Sequence, residues 1–198
     1  MSKPFAFLDV DGVFNPDVHM RDYNNTHSKH RRRLNAGGYV MHHISMPVHD
    51  GGREPTEKVY PVLLSSAHRV WLEDLSEVFE PVWATTWQSL ANLHVLPRLG
   101  WTGGMFPVVE FQPRPDVFRA EWEKQNRARR GSWKLDRLME YAGGRPFWFF
   151  DDQTNRYDQA VLDAVYPGKA RVRHVPPSYG WDRRMVDEAV EWAVRQSG

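Results

Sequence analysis

The chain contains no cysteine. That absence removes disulfides, thiolate nucleophiles and thiolate metal ligands together, and leaves the redox compartment undetermined. No run of 18 or more apolar residues occurs, and no basic-then-apolar leader opens the chain, so neither a membrane span nor a signal segment is expected. No glycine-rich phosphate loop of the Walker or dinucleotide type occurs either. Charge of one sign is also lacking: 26 Lys and Arg face 25 Asp and Glu, a formal net charge of +1. A dedicated nucleic-acid binder carries a more basic balance, so any basic surface here must be local. A soluble, cytoplasmic protein without a membrane partner is the resulting expectation. With 198 residues, 41% of them hydrophobic, the chain is long enough for one domain with a sizeable core.

What is present is an alternation of short apolar runs and amphipathic segments. "FAFLDV" (5–10) is apolar without a period of two, as in a strand buried on both faces. "EPVWATTW" (80–87), "MFPVVEF" (105–111), "RPFWFFDDQ" (145–153) and "ARVRHVPP" (170–177) read as further strands. Between them, helical spacing covers 66–79, 89–100, 132–144, 157–168 and 182–196, with Ser132 placed to cap one helix and Gly143-Gly144 to stop it. Residues 16–64 are polar and rich in Asn, His, Arg and Gly, and read as a flap or cap insertion holding a hairpin of Tyr39–Met46 and Val59–Leu64. Residues 112–132 are polar and irregular. The alternation predicts a single α/β domain over 1–198, with a mostly parallel sheet and helices on both faces.

Sheets of this kind bind ligands at the carboxyl ends of their strands. The unusual residues sit there: Asp9 and Asp11 after the first strand, Thr85 and Thr86 after the second, Asp151 and Asp152 after a later one. Residues two apart on a strand project the same way, roughly 7 Å apart, so Asp9 and Asp11 are expected to share a pocket. Converging carboxylates need a cation or a shared proton. An all-oxygen set with open positions suits Mg²⁺, which binds through carboxylates and substrate phosphate. Asp9, Asp11, Asp151 and Asp152 are therefore the expected metal set. One of Asp151 and Asp152 meets the ion, and the other orients Lys134 or a ligand water. Beside Mg²⁺, Asp9 is placed to attack phosphorus, and Asp11 to protonate the leaving oxygen and then activate water. Thr85 and Lys134 supply a hydroxyl and a cation for the phosphoryl oxygens. Thr86, Gly12, Arg127 and Arg130 are candidates for substrate contact, with Thr86 also able to cap a helix.

These segments resemble the haloacid dehalogenase (HAD) superfamily of phosphohydrolases. "DVDGV" (9–13), "VWATT" (82–86), "WK" (133–134) and "FFDDQ" (149–153) are similar to its four motifs, in order and over nearly the whole chain. The resemblance implies a three-layer, Rossmann-like fold, a Mg²⁺-dependent phosphatase, and an aspartyl-phosphate formed on Asp9. A longer string, "FLDVDGVFNP … VWATTWQSLAN … LPRLG … WKLDRLMEYAGGRPFWFFDDQ", is similar to the HAD domain of bacterial multidomain RNA-repair proteins. That likeness implies a phosphorylated substrate on a nucleotide or an RNA or DNA end. A phosphatase of small metabolites, and a binding protein with little turnover, stay open beside it.

The remaining signals are ambiguous in the sequence. "HSKHRRR" (27–33) reads either as a solvated face or as a basic flap for polyanions, and Arg127, Arg129 and Arg130 form a second cluster near Lys134. Lys124 competes weakly with Lys134. Tyr23, Tyr39, Trp87 and Trp101 are either core residues or surfaces on which bases stack. Asn155 and Asp158 read as loop polar residues close to the acidic pair. The nine histidines show no spacing that demands zinc.

Overall fold

A computed structural model describes residues 2–18, 20–25, 27–48, 56–111 and 132–197. Arg127 and Arg130, like Lys124 and Arg129, lie outside the described residues. Four parallel strands form the central sheet in the order β4-β1-β5-β6: β1 (Phe5–Leu8), β4 (Glu80–Trp83), β5 (Phe147–Asp151) and β6 (Ala170–His174). A separate antiparallel hairpin, β2 (Tyr39–Val48) with β3 (Thr56–Ser65), stands between β1 and β4 in the chain. It is longer at both ends than its apolar islands suggested.

The apolar strands bury both faces, and their alternation sorts the core into two parts. Phe5, Phe7, Val82, Phe147 and Phe149 pack against Leu135, Leu138 and Ala142 of α6 (Leu135–Ala142) and Leu162 of α7 (Asp158–Val165). Ala6, Leu8, Trp83, Trp148 and Phe150 face the other way, toward α3 (Ala67–Val78) and α8 (Arg183–Ser197). The result is an α/β fold with a parallel sheet covered by helices on both faces. Among the described residues no helix is long and apolar enough to cross a membrane.

Three local expectations are corrected. The segment 105–111 is extended but forms only one parallel bridge, Trp83 with Val108; Pro107 has no N–H to extend the ladder. The helix expected over 89–100 is split at Val95 into α4 (Leu90–His94) and α5 (Leu96–Leu99), because Pro97 cannot donate to the preceding turn. The basic run 27–33, for which no helix was expected, lies mostly on one: Lys29–Arg33 belong to α2 (Lys29–Ala36), which follows the short α1 (Met20–Asn24), and Ser28 starts α2 by accepting the Arg31 N–H at 2.9 Å.

The hairpin is fastened to the main body by its inner face, where Ile44, Val62 and Leu64 are buried. At its base, His68 of α3 is fully buried among the rings of Phe14, Tyr39, Trp71 and Trp181. The Tyr39 hydroxyl hydrogen-bonds His68 Nε2 at 3.2 Å, while Nδ1 has no partner among the described residues. Burial pushes the imidazole down to about 3, so it is neutral in the folded protein. An unfolded chain binds a proton at this residue below its ordinary range near 6.5, which the folded chain refuses until about pH 3. Stability from this residue is therefore complete above that range and falls by about 1.4 kcal/mol per pH unit below it. Denaturant unfolding of the wild type and of His68→Leu between about pH 7 and pH 4 is expected to show the wild type losing its stability advantage at that slope. A constant difference across the series means that His68 is not held neutral.

Candidate active site

The register of the sheet builds the site. Leu8 pairs with Phe150, and one further step sets Asp9 beside Asp151 on the neighbouring strand, where the Asp9 N–H donates to the Phe150 carbonyl at 3.2 Å. Asp9 shares the parity of Phe5 and Phe7, and Asp151 that of Phe147 and Phe149. Both carboxylates thus face the side covered by α6. Lys134 stands at the start of that helix, 1% exposed, and its Nζ donates to Asp9 Oδ2 and to Asp151 Oδ2, each at 2.6 Å. The second oxygen of each carboxylate accepts a backbone N–H, from Val10 at 2.8 Å and from Gln153 at 2.6 Å. Helix α6 itself carries no side-chain cap; the Ser132 hydroxyl accepts the Lys134 N–H at 3.4 Å.

Asp152 completes an acidic group. Oxygens of Asp9, Asp151 and Asp152 lie within 4.8 Å of one another, a set that could hold a metal ion. Asp152 Oδ1 is buried and has no hydrogen-bond partner among the described residues, so it is open to a proton or a cation. Burial and the charge of Asp9 push Asp152 up to about 6. Asp151 is raised as well, first by burial and then by Asp9, against the downward pull of Lys134. At Lys134 burial opposes the charge, yet Asp9 and Asp151 outweigh it and the ammonium lies above its ordinary range. Lys134 bonds two of the three carboxylates, and the remaining negative charge calls for a proton or a second cation.

Asp11 stands apart from this set. The strand ends at Leu8, and the N–H groups of Val13, Phe14 and Asn15 converge on the Val10 carbonyl in a tight turn. Strand alternation therefore does not reach Asp11. Its Oδ1 accepts from Asn15 Nδ2 at 2.9 Å and its Oδ2 from Trp87 Nε1 at 2.8 Å. Gly12 occupies the same turn at φ +72, and a Cβ there would lie 2.4 Å from Asp152 Cβ and Cγ. Its observed role is to let the backbone pass close to Asp152. Thr85 is fully buried at the end of β4, where its hydroxyl accepts the Trp87 N–H at 3.3 Å; Thr86 is exposed.

Two supporting residues were not read as such in the sequence. Asp158 is fully buried and accepts the Ser132 N–H at 2.5 Å and the Asn155 N–H at 2.7 Å, tying the turn before Lys134 to the loop after β5. Asn15 bridges Asp11 to the hairpin, since its Oδ1 accepts the Leu63 N–H at 2.9 Å. Asn and Asp in turns read as turn formers, which conceals long-range bonds of this kind.

Replacing Lys134 by Met leaves Asp9 and Asp151 buried without their cation. Chemical unfolding without divalent ions is expected to show a loss of about 3–5 kcal/mol at neutral pH. Acid returns part of it, because protonation of the already raised Asp151 removes one unpaired charge. Gly12→Ala is expected to cost about 1–2 kcal/mol in the same assay from the left-handed backbone alone, with further loss as Asp152 is displaced.

No protein-family model, no curated protein and no solved structure matches this chain, so its own residues carry the functional reading.

Proposed function

We propose that the protein is a Mg²⁺-dependent phosphatase of the HAD type that works through an aspartyl-phosphate on Asp9. The observation that carries this reading is the convergence at one sheet edge of Asp9, Asp151, Asp152 and the buried Lys134. A purely structural ion pair would need neither the third carboxylate nor its unpartnered oxygen. The strand order supports the same assignment, with the Asp9 strand between the Thr85 strand and the Asp151 strand.

Asp9, Asp151 and Asp152 would hold the ion, and their all-oxygen chemistry suits Mg²⁺. When bound, the ion neutralises charge on the phosphoryl oxygens. An Asp9 oxygen forms the bond to phosphorus as the bond to the leaving oxygen breaks, and the Asp11 carboxyl gives that oxygen its proton. In the second half, a water oxygen bonds to phosphorus and its proton passes to the Asp11 carboxylate. The bond between phosphorus and Asp9 then breaks and restores the carboxylate. Lys134 orients Asp9 and counters charge on the transferred group, and the Thr85 hydroxyl supplies a hydrogen bond at the strand end. Gly12 serves by leaving room for Asp152.

For the substrate we favour a phosphate on a nucleotide or a nucleic-acid end. Helix α2 supports this choice: Lys29, His30, Arg31, Arg32 and Arg33 follow one another on it, on a chain whose net charge is only +1. The Arg31 guanidinium lies over the Tyr23 ring at 4.0 Å and that of Arg33 over Tyr179 at 3.8 Å. Arg33, Tyr39, Trp71, Tyr179 and Trp181 also line a cavity of about 700 Å³. Cations beside aromatic faces suit phosphates and bases of a single strand.

Phosphate release with Mg²⁺ is to be measured on p-nitrophenyl phosphate, sugar phosphates, mononucleotides and 5′- or 3′-phosphorylated oligonucleotides. Nucleotides or oligonucleotides are expected to turn over fastest, and Asp9→Asn to lower turnover by at least about a thousandfold. Sugar phosphates as the best substrates would replace the substrate assignment, and no turnover at all would leave a phospho-ligand binding protein. The pair Lys29→Ala/Arg32→Ala, both exposed, is expected to lower kcat/KM for the oligonucleotide about tenfold more than for p-nitrophenyl phosphate, with the difference shrinking in high salt.

A further inference from the structure

We propose that Trp87 and Asn15 are positioning residues for proton transfer, holding the Asp11 carboxyl by one oxygen each. The inference rests on the phosphatase reading above and adds two residues to it.

Asp11 lies past the strand end and is itself exposed, at the mouth of a turn whose next three residues are buried. A short carboxylate in such a place would rotate freely and meet the leaving oxygen only part of the time. Two donors remove that freedom: Trp87 Nε1 at 2.8 Å from Oδ2 and Asn15 Nδ2 at 2.9 Å from Oδ1. Each donor is itself fixed. The Trp87 N–H donates to the Thr85 hydroxyl at 3.3 Å, and its ring packs against the main core. Asn15 accepts the Leu63 N–H of the hairpin through its side chain at 2.9 Å and the Gly12 N–H through its carbonyl at 2.8 Å. A carboxylate oxygen has two acceptor sites, so one bond to each oxygen orients Asp11 and leaves a site on each for the proton.

The two halves of the reaction use Asp11 differently. In the first half its proton goes to the leaving oxygen. Nitrophenolate departs without a proton, whereas the alkoxide of an alkyl phosphate requires one. In the second half Asp11 takes a proton from water, whatever the first substrate was. Loose placement of Asp11 therefore has a kinetic signature that general damage to the site lacks.

The test compares Trp87→Phe, which keeps an aromatic ring, though a smaller one, and loses the N–H, with the wild type on p-nitrophenyl phosphate and on an alkyl phosphate such as β-glycerophosphate, with Mg²⁺. For the variant on p-nitrophenyl phosphate, kcat is expected to fall about tenfold. KM falls with it, so kcat/KM stays within about twofold of wild type. Nitrophenolate is released in a burst close to one per enzyme, as phosphorylated Asp9 accumulates. On the alkyl phosphate, kcat/KM falls about tenfold and no burst is seen. Asn15→Ala, which frees the other oxygen, is expected to show the same pattern and serves as the second variant if Trp87→Phe unfolds. Equal losses of kcat/KM on both substrates, or no loss on either, would overturn the positioning role while the phosphatase reading stands. A wild type that releases phosphate from neither substrate nor from the wider panel overturns both.

Discussion

A single ammonium group, Nζ of Lys134, organises this molecule. It lies 2.6 Å from a carboxylate oxygen on each of two adjacent parallel strands, and it is almost completely removed from water. Bringing those charges out of solvent is costly, and the cost is offset only while the geometry holds. Much of the surrounding structure serves that geometry. The sheet register sets Asp9 beside Asp151. The apolar stripe of α6 fixes the helix above them. Asp158 holds the turn from which Lys134 descends. Backbone N–H groups of Val10 and Gln153 occupy the outer oxygens, so neither carboxylate can swing away.

That arrangement leaves charge uncompensated, and the chemistry proposed for the site grows from this surplus. Lys134 bonds two of the three carboxylates, and the odd oxygen of Asp152 faces no donor among the described residues. Asp152 reaches its place only because residue 12 has no side chain: the turn after β1 runs at φ +72 and passes where a Cβ would overlap it. The glycine of "DVDGV" is thus a spatial requirement of Asp152, set 140 positions away just past the end of the neighbouring strand.

The hairpin is joined to the rest of the fold by specific bonds at two places. Asn15 links the Asp11 turn to β3, and the Tyr39 hydroxyl meets His68 beneath the hairpin base. The segment between β1 and α3 therefore carries both the Asn15 support for Asp11 and a positively charged helix edged with aromatic rings.

The sequence by itself determined the four strands of the sheet, the hairpin and most of the helices, though not the strand expected at 105–111. These follow from local causes: apolar runs without a period of two mark strands buried on both faces, amphipathic spacing marks helices, and glycines at 100 and 143 stop them in the left-handed conformation. Carboxylates directly after such strands were legible for the same reason. What only the tertiary structure decided is which groups meet. Lys134 and Asp9 are 125 residues apart in the chain, and no periodicity reports that distance. Asp11 was expected to share a pocket with Asp9 through strand alternation; the strand ends one residue before Asp9, so a turn and not alternation places Asp11, which stays within electrostatic reach of Asp9 while Trp87 and Asn15 donate to its oxygens. The basic run 27–33 gave no sign of its helix, because a solvated helix without an apolar stripe leaves no period to read. Register, the end point of a strand and the partner of a buried oxygen are settled by packing between distant segments, and that is where this site is made.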